Sequence, residues 1–182
     1  MMMVESASAL TAWSSFYILT GSAAGALTGL MFVVITLVTR VERPGTRDGT
    51  STFSTPTVVH FCAALLVSAI LSAPWHSLVG PAALLGLSGL CGVVYVLRLM
   101  YRTRRLTAYN PDLEDWAWYT ILPFVAYGAI LVGAIMLPAI PVQALFALAG
   151  GVMLLIFIGI RNAWDIVTYI AVGLKDEPPS SP

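Results

Sequence analysis

Three polar residues follow the last long apolar run of the chain, and their types could support chemistry at membrane depth. Arg161, Asn162 and Asp165 lie in the stretch "IRNAWDIVTY". Arg161 and Asp165 are four positions apart, so their side chains can meet on one face of a helix. Buried polar and charged groups of this kind are typical of ion or proton sites. If the helix continues within a bilayer, the spacing predicts a candidate polar site.

The same residues also fit a surface anchor, and we favour that interpretation. The preceding apolar run, residues 142–160, is already long enough to cross the hydrocarbon. From Asn162 onward, polar residues recur on one side of a helix, with Trp164 and Ile166 on the other. We therefore expect Arg161 to mark the membrane surface and the residues after it to form a helix along that surface.

Histidine and cysteine positions predict no metal or catalytic site. His60 and His76 would lie about 24 Å apart on one helix, and neither has a second histidine at ligand spacing. Cys62 and Cys91 are expected at different depths, which argues against a disulfide. The chain also lacks a P-loop, an HExxH motif and a Ser/His/Asp set in motif context. We expect no catalytic residue, metal or cofactor; the weaker alternative is a haem-binding redox protein that uses His60 or His76.

Composition indicates a membrane protein. The chain has 182 residues, of which 58% are hydrophobic and only 10% are charged, and its mean hydropathy is +0.87. Soluble domains carry about 25% charged residues. Nine Lys and Arg balance nine Asp and Glu, and this zero net charge argues against nucleic acid as a partner.

Five apolar runs have the length of about 20 residues that a crossing of the hydrocarbon requires. They cover residues 12–39, 56–79, 81–100, 116–137 and 141–160, and the fifth can extend as helix to residue 173. The predicted fold is an all-α, polytopic transmembrane helical bundle that forms a single domain over residues 1–174. Gly80 and Pro81 predict a tight antiparallel hairpin between the second and third spans. The polar tail, residues 175–182, is expected to be a disordered cytoplasmic end.

Basic residues predict the orientation. With five spans, all nine lie on one side of the membrane, so the positive-inside rule places the N-terminus outside and the C-terminus in the cytoplasm. The predicted location is the bacterial cytoplasmic (inner) membrane. Arg98, Arg102, Arg104 and Arg105 cluster at the end of the third span. This cluster sets the topology or attracts anionic lipid headgroups, at about 1 kcal/mol per charge.

Small residues dominate part of the first span. Gly21, Gly25 and Gly29 form two overlapping GxxxG steps, a glycine zipper, and small side chains fill most positions between them. In lipid, small residues let helix backbones approach closely. Because the helix is thin on all sides, we expect other helices to enclose it. Packing within the chain is favoured, and a subunit interface or pore lining stays open. Ser88 and Gly92 form a second small pair in the third span.

The segment "WSSFYILTGSAAGALTGLMFVVITLV", Trp13 to Val38, resembles the first helix of a broad group of small uncharacterised bacterial inner-membrane proteins. Those proteins begin with an aromatic pair, a small-residue run and an "LTGLxFV" segment. Some members are labelled as modulators of the FtsH membrane protease. The resemblance covers chiefly the first span; it implies the membrane class and carries over no functional residue.

Two functions fit these observations. The first is a non-catalytic accessory protein or modulator that binds a membrane-protein partner by close helix packing within the lipid bilayer. The alternative is a homo-oligomeric channel or small-solute transporter. In that case Ser14, Thr20, Ser22 and Thr28, with the glycines of the first span, would line a path.

Overall fold

The computed structural model describes residues 2–41, 47–105 and 116–173, with side-chain surroundings described over 9–36, 56–101 and 116–168. These residues form five helices: α1 (Met2–Val41), α2 (Arg47–Ser72), α3 (Val79–Arg105), α4 (Leu122–Met136) and α5 (Pro141–Gly173). A π turn, Ala117–Ile121, leads into α4. No strand occurs in the described ranges, so the predicted all-α class is confirmed.

Four helical segments are long and apolar enough to cross a membrane, within the part of the chain that the structure describes. They are Ala9–Thr36, Val79–Tyr101, Ala117–Met136 and Pro141–Thr168. The apolar part of α2, Pro56–Ser72, is shorter than these four. By length and composition, the chain is a multi-pass membrane protein.

The connection between α2 and α3 differs from the prediction. α2 ends at Ser72, because Pro74 disfavours helical backbone at the residue before it. The indole N–H of Trp75 donates to the carbonyl of Ile70 at 2.6 Å and so satisfies one of the last carbonyls of α2. α3 begins at Val79, and the predicted turn at residues 80–81 therefore lies within its first turn.

The predicted tight hairpin of the second and third spans is wrong. α2 packs mainly on α1 and α5, whereas α3 packs mainly on α4. The first boundary of α2 differs as well, since the helix begins at Arg47 and Pro56 lies inside it. Residues 73–78 separate α2 from α3 enough for the two helices to pack on different neighbours.

The π turn before α4 coincides with a proline. The N–H of Leu122 bonds to the carbonyl of Ala117, five residues back. Pro123 has no N–H to donate to the carbonyl of Tyr119, so regular helical bonding cannot pass through this position. The widened turn lets the helix described from Trp116 onward continue past the proline into α4.

α1 and α2 run antiparallel. A Cβ added to Gly21 would lie 3.0 Å from the Cβ of Ser68. Further along α1, Met31 packs with Phe61. Residue numbers therefore rise along α1 while they fall along α2.

α5 lies at the centre of the bundle and packs on α1, α2 and α4. It runs parallel to α1, since the hydroxyl of Tyr17 donates to the carbonyl of Leu145 at 2.9 Å near the start of both spans. The ring of Phe61 in α2 fills the space beside Gly159, where no Cβ could fit. Because α1 and α2 are antiparallel, α2 and α5 are antiparallel too.

Glycines on both partners bring α4 and α5 together. A Cβ on Gly133 of α4 would lie 2.8 Å from the Cγ of Leu148, and one on Gly151 of α5 would lie 2.8 Å from the Cγ1 of Ile130. These two contacts show that α4 and α5 are antiparallel. Close approach through glycine is the packing device expected of helices in lipid.

α3 packs antiparallel on α4. A Cβ added to Gly86 would lie 3.9 Å from the Cβ of Ala134, and one added to Gly89 would lie 2.8 Å from the backbone nitrogen of Leu131. At Gly89 the two backbones are in such close contact that even a methyl group would clash. The five helices therefore alternate in direction along the chain.

This alternation gives the bundle two distinct ends. The hairpin end holds the start of α1 and the connections 73–78 and 137–140. The basic end holds the ends of α1, α3 and α5 and the starts of α2 and α4. Every Lys or Arg in the described ranges lies at or near the basic end. Arg43, Lys175 and the predicted tail lie outside those ranges.

Candidate functional site

Tyr127 of α4 and His60 of α2 form a buried polar pair in the bundle. The exposed fractions of these residues are 1% and 2%, and the Tyr127 hydroxyl and His60 Nδ1 share a hydrogen bond of 3.0 Å. The Tyr127 ring lies against Gly92 of α3, in space that any Cβ at residue 92 would occupy. Because the pair joins two different helices, no sequence spacing reveals it, and it was not predicted.

Asn162 occupies the buried side of α5. Its exposed fraction is 0%, and neither Oδ1 nor Nδ2 has a hydrogen-bond partner. Ile166, one turn later, is also buried and packs with Phe61, whereas Trp164 is exposed. The prediction that Asn162 lies on a solvent-facing stripe opposite Ile166 is wrong, because both residues face the inside of the bundle.

Arg161 and Asp165 meet as an ion pair at the basic end of α5. Their side chains are 33% and 38% exposed, and the Arg161 guanidinium carbon lies 5.7 Å from the ring centroid of Trp118. α5 continues without interruption to Gly173, so the residues after Arg161 extend the same helix. Of the three predicted polar-site residues, the structure pairs two, both partly exposed, and buries Asn162.

The glycine zipper of α1 changes neighbours along its length. Gly21 is buried against Ser68, and a Cβ on Gly25 would lie 3.9 Å from Leu65 Cδ1. A Cβ added to Gly29 would meet no neighbouring atom within 4 Å. Four residues advance an α-helix by about 40° beyond a full turn, so a strict four-residue repeat rotates from the inside of the bundle to the outside.

Small residues on the outer side of α1 form a continuous stripe. Ser22, Ala26 and Gly29 are exposed, and Gly25 is half-buried between them. The expectation that other helices of this chain enclose α1 is wrong, because α5 takes the central position. The stripe borders an open groove between α1 and α2, here called the α1–α2 groove. Its lining includes Gly21, Ser22, Gly25, Ala26, Ser68 and Ala69.

The polar side chains of the first span bond mostly within the chain. Thr20 donates to the carbonyl of Phe16 at 3.0 Å and shares a hydrogen bond of 3.1 Å with Ser68. Thr28 donates to the carbonyl of Ala24 at 2.8 Å. Ser14 likewise bonds to a carbonyl of its own helix. Thr20 is thus directed at α2. A solute path along the outer side of α1 would require a second molecule to form its other wall.

The remaining predicted site residues are dispersed. Ser88 is half-buried, and Arg98 is exposed beside Tyr101 in a shallow groove at the basic end. The side chains of Arg102, Arg104 and Arg105 lie outside the described residues. His76 and both cysteines are exposed. Among the residues that the structure describes, no three His, Cys, Asp or Glu side chains group together as metal ligands would.

No protein-family model, curated protein or solved structure matches this chain. Evidence for function therefore comes from the geometry of the bundle.

Proposed function

We propose that the chain crosses the bacterial cytoplasmic membrane five times, with its N-terminus outside and its C-terminus in the cytoplasm. The alternating directions of the five helices support this topology, since α2 lies antiparallel to both α1 and α5 along their apolar length. The concentration of Lys and Arg at one end supports the orientation, because cytoplasmic loops carry the excess of basic residues.

We further propose that the protein is a non-catalytic accessory subunit or modulator that binds a transmembrane helix of a partner protein. The observation that carries this proposal is the exposed stripe formed by Ser22, Gly25, Ala26 and Gly29 beside the α1–α2 groove. At most of the described glycines, an added Cβ would meet a neighbouring side chain or backbone of this chain. Gly29 has open space around it, and it lies on a face whose composition favours close helix approach in lipid.

The two surface depressions described in the bundle also favour binding over catalysis. One is the α1–α2 groove and the other lies beside Arg98; both are open to the surroundings rather than enclosed. The α1–α2 groove is open and lined largely by small residues, and such a surface accommodates a helix better than a small substrate. The resemblance of the first span to proteins labelled as FtsH modulators makes a membrane protease the first partner to test.

A pair of matched glycine variants tests the proposal. Gly29→Leu adds bulk to the exposed stripe, and Gly150→Leu adds the same bulk to α5 at another exposed glycine with nothing within 4 Å. Each protein is extracted gently from its own host membrane, and native mass spectrometry identifies every copurifying chain. We expect a stoichiometric partner with the wild type and Gly150→Leu, and loss of that partner with Gly29→Leu.

Other outcomes separate the competing functions. An assembly that contains only copies of this chain and dissociates with Gly29→Leu would replace the accessory proposal with the homo-oligomeric one. Flux through liposomes that contain that assembly would then test for a channel. A wild-type chain that always purifies as a monomer would contradict both proposals.

A further inference from the structure

Asn162 is an exception among the buried polar side chains of the described residues. Thr20 and Ser68 bond to each other, His60 bonds to Tyr127, and Thr57 also has an interaction partner. Asn162 is fully buried, yet both polar atoms of its amide lack a hydrogen-bond partner. An unpaired amide inside a membrane bundle is strongly unfavourable, so the geometry calls for a ligand at this position.

The position of Asn162 limits what that ligand can be. The residue lies about one helical turn beyond Gly159, where the Phe61 ring packs against the helix. Its neighbour Arg161 has a partly exposed side chain. The amide is therefore close to the water-facing basic end without being open to it. Since no part of Asn162 is exposed, the ligand must be small enough to be enclosed with it inside the bundle.

We propose that Asn162 binds a buried water molecule. A water can donate to Oδ1 and accept from Nδ2, which satisfies both halves of the amide. The other buried polar side chains, such as Tyr17, Thr20 and His60, are satisfied by protein groups instead. This inference does not depend on the accessory function.

Nuclear magnetic resonance of the whole protein in bilayers tests the proposal directly. The chain contains only three side-chain amides, those of Asn110, Gln143 and Asn162, so labelling Asn and Gln with ¹⁵N gives a simple spectrum. Asn110→Ser and Gln143→Glu assign the signals. Gln143 is exposed and serves as the positive reference for contact with water. A second sample labelled with ¹⁵N-leucine supplies the negative reference, the backbone amide of the fully buried Leu155, whose signal Leu155→Ile assigns.

We expect magnetisation to pass from water to Nδ2 of Asn162, and we expect its N–H signal to disappear in D₂O. The proposal is overturned if Asn162 behaves like Leu155, with no transfer from water and a signal that persists in D₂O. A cross peak from Asn162 to another protein group, in place of the one to water, would overturn it as well. Because these measurements use the wild-type side chain, they do not depend on the folding of an Asn162 variant.

Discussion

Replacement of Tyr127 by phenylalanine isolates the contribution of the buried polar pair. The substitution Tyr127→Phe removes only the hydroxyl that bonds to His60 Nδ1. The ring that fills the space beside Gly92 is retained, so helix packing between α3 and α4 should not change. The free energy of unfolding should fall because His60 is left buried without its partner.

The expected magnitude follows from the burial of both groups. Hydrogen bonds between helices in membranes contribute about 0.6 kcal/mol on average and about 1.7 kcal/mol at most. Leaving a buried polar atom unpaired costs about 1–3 kcal/mol. His60 and Tyr127 are both almost fully buried, so we expect Tyr127→Phe to lower the free energy of unfolding by about 1–2 kcal/mol.

A double-mutant cycle measures the pair itself. Reversible unfolding in mixed detergent micelles is followed for Tyr127→Phe, His60→Leu and the double variant, and the coupling energy should be about 1 kcal/mol. Tyr17→Phe is the matched control, since the Tyr17 hydroxyl bonds to the carbonyl of Leu145 and should be additive with His60→Leu. A coupling energy no larger than that of the control would refute the role assigned to the pair.

Three further predictions concern packing, helix ends and topology. Gly89→Ala should destabilise the bundle because its methyl group would meet the backbone of Leu131, whereas Gly150→Ala should be neutral or stabilise it by about 0.5–1 kcal/mol; the same unfolding assay compares them. Trp75→Phe removes the indole bond to the carbonyl of Ile70, and hydrogen exchange at the end of α2 should become faster, with unchanged exchange counting against this cap. Topology reporters should place the C-terminus in the cytoplasm and the N-terminus outside, and two termini on the same side would contradict five spans.

Most of the helices were predictable because their signals are local. The apolar length of α1, α3, α4 and α5 is a property of contiguous sequence, and each has the length that the hydrocarbon requires. The end of α2 was misplaced because Gly80 and Pro81 form a plausible turn by themselves. The proline at residue 74 and the bond from Trp75 to Ile70 end the helix earlier, and that bond depends on the fold of the connection.

The candidate site was predicted less well, because its geometry depends on neighbouring helices. The four-residue spacing of Arg161 and Asp165 correctly indicated that they could meet. The burial of Asn162 depends on α5 being central, which no periodicity within α5 reveals. The bond between His60 and Tyr127 joins α2 to α4, and the Tyr127 ring occupies the space that the missing side chain of Gly92 leaves on α3.

The sequence by itself determined that this protein is helical and of the membrane class, and where its charges and glycines lie along each helix. These properties follow from composition and from the fixed geometry of the α-helix. The tertiary structure alone decided which glycines are covered. Gly21 packs on α2 while Gly29 faces outward. The zipper repeat turns gradually around the axis of α1, and the centre of the bundle is occupied by α5 instead of α1.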